Sequence, residues 1–179
     1  MKNKILEMPE GLSYKSKIPF VRMYFNKIHN IAIKLAKPLD NKKILDFGCG
    51  SGKLKQKLKD YNVVNYDINE KLSEISDYKK LRPDIIFSLS VFEHIDIMQI
   101  EEIIKNFKDM NKNLILILAI PKETFLNKTL AFIFGVYKLN KEAHVSSISQ
   151  IYYILNKHMK KQKIKKIPFL CEVSKWSFK

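Results

Sequence analysis

At 179 residues, 46% of them hydrophobic, the chain is long enough for one domain with a substantial core and too apolar for disorder. Its two cysteines, Cys49 and Cys171, exclude a disulfide framework, and no Cys/His cluster has zinc-site spacing, so no metal is expected and a reducing cytoplasm is the expected location. The formal net charge of +15 invites nucleic acid, yet only Arg22 and Arg82 are arginines, the residue best suited to bidentate base and phosphate contacts, so nucleic acid is a disfavoured partner.

The N-terminus, "MKNKILEMPEGLSYKSK", has no apolar core of signal-peptide length. "FVRMYFNKIHNIAIKLAK" (20–37) repeats its apolar residues at intervals of three and four and predicts a helix stopped by Pro38. "KKILDF" (42–47) predicts a first strand, followed by a glycine-rich turn and a helix over "GKLKQKLKD" (52–60). "YNVVNYD" (61–67) reads as a second strand, "NEKLSEISDY" (69–78) as short helical or irregular chain, and "PDIIFSLS" (83–90) as a further strand. A helix over "IMQIEEIIKNFKDM" (97–110) and a deeply buried strand over "NLILILAIP" (113–121) come next. Beyond them lie an apolar segment, "TFLNKTLAFIFGVYKL" (124–139), a helix "SISQIYYILNKHMKK" (147–161), and two short strands, "KIKKIPFL" (163–170) and "EVSKWSF" (172–178).

The densest basic run, "KHMKKQKIKK" (157–166), reads as a solvated helix end and strand start. The apolar runs "LILILAI" and "LAFIFGVY" are too short to span a bilayer, so no transmembrane segment is expected. Strands alternating with helices predict an α/β fold: one doubly wound domain over 1–179, its sheet mostly parallel and covered by helices on both faces.

Three of the five glycines, Gly48, Gly50 and Gly52, stand within five positions after the first strand, where backbone must take positive φ or approach another group closely. Three nucleotide-binding turns compete for "GCGSGK". A P-loop needs glycine at 47 and Ser or Thr at 54, where Phe47 and Leu54 stand. A dinucleotide fingerprint needs its third glycine at Lys53, although Asp67 matches the acidic residue expected some twenty positions on.

The third turn fits the residues. "ILDFGCGSGKL" (44–54), followed by "VVNYDIN", "PDIIFSLSVFEHI" and "LILILAIP", closely resembles the class I S-adenosylmethionine-dependent methyltransferases, from about Met23 to Pro121 with a weaker echo through His144. The resemblance implies a Rossmann-like methyltransferase fold and S-adenosylmethionine as cofactor. In such a fold Gly48 and Gly50 let backbone approach the ligand, Asp67 accepts hydrogen bonds from the ribose hydroxyls, and Ile68 offers the adenine an apolar surface. Asp46 either orients the sulfonium or amino end of the ligand or fixes the turn by bonding backbone N–H groups; both roles stand open. Only 16 residues separate Asp67 from Asp84, so the third strand is expected to be reduced. "ISDYKKL" either supplies a vestigial strand with Asp77 at the adenine edge or forms a surface turn.

The acceptor side is read from the same resemblance. His94, in "EHI" past the strand over 83–90, is the preferred base, with helix capping as its structural role; Glu93 is the weaker choice. His144, in "KEAHVSSIS", resembles a histidine that many relatives acting on small molecules and lipids carry before the penultimate helix. The apolar 124–139 segment lies where these enzymes place substrate-covering elements and is either a core or lid helix, the lining of a hydrophobic acceptor site, or a membrane-surface contact. The expected activity is methyl transfer to a small or lipid-like acceptor. The alternatives are an RNA or protein methyltransferase and a non-catalytic nucleotide-binding module.

Overall fold

The computed structural model describes residues 19–122 and 145–179. Four apolar runs form the parallel part of its sheet: β1 (Lys43–Phe47), β2 (Asn62–Tyr66), β3 (Ile85–Leu89) and β4 (Ile115–Pro121). A C-terminal hairpin, β5 (Met159–Ile167) and β6 (Cys171–Phe178), adds two antiparallel strands, giving the order β2-β1-β3-β4-β6-β5. The helices are α1 (Pro19–Ala36), α2 (Lys53–Lys57), α3 (Ile97–Met110) and α4 (Ile148–His158). The α/β, mostly parallel architecture follows the sequence pattern. No helix among the described residues is long and apolar enough to cross a membrane.

Strand alternation divides the core into two layers. Leu45, Phe47, Ile86, Leu116 and Leu118 pack on Ile100, Ile104 and Phe107 of α3 and Ile151 and Leu155 of α4. Ile44, Val63, Ile85, Phe87, Ile117 and Ala119 pack on Ile28, Ala32 and Leu35 of α1 and Leu54 of α2. Helix ends are closed by local chemistry. Asp96 accepts from Met98 N (2.9 Å) at the start of α3, and Ser147 and Gln150 form a reciprocal capping box at the start of α4.

Two boundaries depart from the pattern. The helix expected over 147–161 stops at His158, because Met159 pairs with Phe178 as the first residue of β5. The lysines of 160–166 therefore lie on an edge strand, where charge discourages pairing with another chain.

The segment between β2 and β3 forms no strand, so the reduced third strand is replaced altogether and β2 is the sheet edge. The cause is local. Glu74 occupies the outer edge of β2, its N–H donating to Asn65 O (3.0 Å) and its carboxylate accepting from Asn65 N (3.1 Å), while Lys55 holds that carboxylate. Next, Asp77 accepts from Lys79 N (3.0 Å) and caps a single 3-10 turn, Tyr78–Lys80. Tyr78 turns inward, its ring centroid 5.1 Å from that of Phe47 and 4.9 Å from that of Tyr66. "ISDYKKL" is thus a surface turn with one aromatic anchor.

Phe107 sits at the centre of this packing, 0% exposed and 5.3 Å from the Phe47 ring. Phe107→Ala should cost about 3–5 kcal/mol in denaturant unfolding; a loss below about 1 kcal/mol would remove it from the core.

Candidate active site

Strand order reverses direction at β1 and β3: the chain leaves β1 towards β2 on one side, and leaves β3 towards β4 on the other. Loops leaving the carboxyl ends of β1 and β3 therefore part and open a crevice, the usual place for a ligand in such sheets. The glycine turn forms one wall, and the chain after β3 forms the other.

Gly48, Gly50 and Gly52 have φ of 78°, 49° and 68°, all in the left-handed region that L side chains avoid. Their surroundings differ. A Cβ on Gly48 would meet Val91 Cγ1 at 2.8 Å and Cγ2 closer still, so this glycine lets the two walls touch. A Cβ on Gly50 would meet nothing within 4 Å, which leaves room for a ligand against the backbone. The space that a side chain at Gly48 would take is filled by Val91.

The turn is tied to β2. Gly48 N and Cys49 N both donate to Tyr66 O (2.8 and 3.0 Å), and Gly50 N donates to Asp67 Oδ2 (2.9 Å). Asn69 N donates to Asp67 Oδ1 (3.0 Å), so each carboxylate oxygen holds one backbone N–H and keeps acceptor capacity for another donor. Beside it, Ile68 is 65% exposed, an apolar side chain presented at the rim. Asp77 is spent on its own 3-10 turn and gains no strand to place it at this edge.

Asp46 is 4% exposed, and no hydrogen bond reaches its carboxyl from the described residues. Because the N–H groups of the turn go to Tyr66 and Asp67, the turn-fixing role for Asp46 is not the one it plays. Burial, with a smaller push from the Asp67 charge, raises its pKa to about 7. Asn65, its register partner on β2, is also buried with an unpartnered Oδ1, and its Nδ2 lies 3.1 Å from where a Gly52 Cβ would be. Sequence reading missed Asn65, though a polar residue in an apolar slot of "NVVNY" was the signal.

On the second wall, Ser90 takes φ 59° and the chain turns through a 3-10 turn, Phe92–His94. His94 is half-buried, its Nε2 3.9 Å from Glu93 Oε1. Glu93, the weaker candidate by sequence, is only 2% exposed, and burial lifts its pKa to about 8. His144 and the 124–139 segment lie outside the described residues.

With this geometry in place, comparison with known proteins decides the family. The methyltransferase-domain family profile matches residues 21–167. The chain belongs to that family. No curated protein matches the methyltransferase in sequence. Among solved structures, a Pyrococcus horikoshii OT3 protein superposes with a TM-score of 0.70 at 15% identity, over 94% of this chain and 95% of that one. Magnesium protoporphyrin IX methyltransferase from Synechocystis PCC 6803, solved with S-adenosylhomocysteine, gives 0.60 at 18% identity over 86% and 83% of the two chains. The N-methyltransferase NodS of Bradyrhizobium japonicum WM9, also with S-adenosylhomocysteine, gives 0.55 at 13% identity over 91% and 89%. These likenesses carry the fold, and the family profile carries the enzyme class.

The two glycines should respond differently. Gly48→Ala combines a left-handed φ with a clash against Val91 and should cost at least about 2 kcal/mol. Gly50→Ala meets only the φ penalty, about 1 kcal/mol. Equal losses in chemical unfolding would contradict the wall contact.

The buried acids set a pH dependence. Asp46 and Glu93 have native pKa values raised to about 7 and 8, so their ionisation destabilises the ligand-free protein progressively as pH rises from about 5 to 8. His29, lowered to about 3 by burial, acts in the opposite sense below pH 6.5, but it is one group against two. The ligand-free methyltransferase should melt lower at pH 8 than at pH 5.5, and Asp46→Asn should narrow that gap; an unchanged gap would refute the assignment for Asp46.

Proposed function

We propose that S-adenosylmethionine binds in the crevice between β1 and β3 and that the enzyme transfers its methyl group to a small or lipid-like acceptor. The single observation that carries the donor site is the join between the glycine turn and Asp67, which fixes a carboxylate with spare acceptor capacity above open space at Gly50. Asp67 takes the ribose hydroxyls, and Ile68 supports the adenine on its exposed side. Asp46, buried without a hydrogen-bond partner, faces the cationic end of the ligand. That pairing fits the group: a positive charge is what returns an isolated buried carboxyl to its ionised form. Asp77 stands at the rim beyond β2, with one carboxylate oxygen engaged by Lys79 N. S-adenosylmethionine supplies an electrophilic methyl group on a sulfonium.

The chain's own contribution is placement. Asp67 and the turn backbone fix the nucleoside, Asp46 aligns the sulfonium end, and Gly48 against Val91 joins the donor wall to the acceptor wall. Such alignment of nucleophile, carbon and leaving sulfur is where displacement reactions gain most. His94, on the acceptor wall, and His144 are the base candidates from sequence. The apolar 124–139 segment of the sequence supports a small or lipid-like acceptor over an extended polymer.

Asp67→Ala should weaken S-adenosylhomocysteine roughly ten- to a hundredfold in calorimetric titration, the worth of a charge-assisted bond, about 1.5–3 kcal/mol. Unchanged affinity would overturn the donor site. NAD should bind far more weakly than S-adenosylhomocysteine, and the reverse order would favour the dinucleotide reading.

A further inference from the structure

A buried acid with nothing to bond is costly, and folded proteins rarely keep one without a use for it. Among the described residues Glu93 is the extreme case. Its side chain is 3% exposed and its Oε2 has no hydrogen-bond partner. It stands two residues after Val91, the residue that touches the donor wall at Gly48. We propose that Glu93 is the base on the acceptor side, and that the acceptor is a molecule presenting an O–H or N–H to its Oε2; the assignment rests on the methyl-transfer reading above.

Its backbone is held as a positioned group's should be. Glu93 O accepts from Val145 N (2.8 Å) and Ser146 N (3.2 Å), and Ser146 Oγ donates to Ile95 O (2.6 Å). The chain thus pins the 3-10 turn on both sides of the carboxyl while leaving the buried Oε2 without a hydrogen-bond partner.

The surroundings set its proton affinity. Desolvation raises it, and the residue's own backbone amide offsets only part of that. Tyr24 of α1 and Cys171 of β6 are close enough to feel its charge, which raises both, so they face it as neutral groups. His94 Nε2, 3.9 Å from Oε1, is beyond hydrogen-bond distance. A carboxyl titrating near pH 8 in a dry setting is a base matched to a neutral-pH reaction.

The step balances. The acceptor's lone pair forms the bond to the methyl carbon, the carbon–sulfur bond breaks with its pair left on sulfur, and the O–H or N–H proton passes to Glu93. A sulfonium and a carboxylate become a thioether and a carboxylic acid, so two opposite charges cancel inside a site that solvates neither well.

The test uses Glu93→Gln and Glu93→Met in the full chain. Both should bind S-adenosylhomocysteine within threefold of the unmodified enzyme and melt at or above its temperature at pH 8.5, because a buried carboxyl with an unpartnered oxygen is removed. With methyl-labelled S-adenosylmethionine, the unmodified enzyme should methylate alkylphenols or primary amines, with a rate that rises through about pH 8. Glu93→Gln should lose at least about a hundredfold of that rate together with the pH limb. Variants that melt several degrees lower would make Glu93 a structural acid and overturn the proposal. So would a retained rate and limb in Glu93→Gln, or an unmodified enzyme that methylates only thioethers and fatty-acid carboxylates, or no member of the panel. Loss of S-adenosylhomocysteine binding by the unmodified enzyme would overturn the methyl-transfer reading itself.

Discussion

One hydrogen bond organises the site: Gly50 N–H to the Asp67 carboxylate, at 2.9 Å. It ties the turn after β1 to the end of β2 and makes the carboxylate part of the scaffold before any ligand arrives. With Tyr66 O accepting two further N–H groups, the first three donors of the turn go to Tyr66 and Asp67. A turn satisfied in this way has no need of Asp46, which is left as an unpaired acid beside the crevice. The structure thus separates two acids that a sequence presents alike, one held by two backbone N–H groups and one whose carboxyl no backbone N–H of the turn reaches.

The missing third strand follows from the same economy of chain. With 16 residues between Asp67 and Asp84, there is no length for a crossover and a paired strand. Glu74 seals the β2 edge at Asn65, and Tyr78 fills the space beneath with an aromatic ring. The outcome is a sheet edge closed by one side chain and one backbone pair, next to an exposed Ile68.

How much of this was legible depended on period and length. β3, β4 and α3 lie where their apolar patterns placed them, because each is long enough or buried enough for the pattern to be unambiguous. The end of α4 was not, since "HMKK" has the composition of a helix terminus and only the pairing of Met159 with Phe178 turns it into strand. The place of Asp67 beside the glycine turn was legible from its distance in sequence. The function of Gly48 was not, because its reason is Val91, 43 positions away in sequence, and a contact of that kind leaves no local mark. The burial of Glu93 was not legible for the same reason: "EHI" shows two titratable residues, and only the structure distinguishes the buried Glu93 from the half-buried His94.

Asp46 and Glu93 raise a final point about placement. Both are buried and both resist ionisation, yet they lie on opposite walls and meet different chemistry. An acid on the donor wall gains its charge when a cation binds, so ligand binding there should release a proton at pH below about 7. On the proposed reading, the acid on the acceptor wall would lose its charge when it takes the proton of the nucleophile. The two walls meet at Gly48 and Val91, so the distance between the acids is set by backbone and a branched side chain, with no flexible group between them. Rigid separation matters because a displacement reaction tolerates little error in the line from nucleophile through carbon to sulfur. On the proposed reading, a methyl group bridging such walls would be held by geometry, with an acid at each end whose proton affinity burial has already raised.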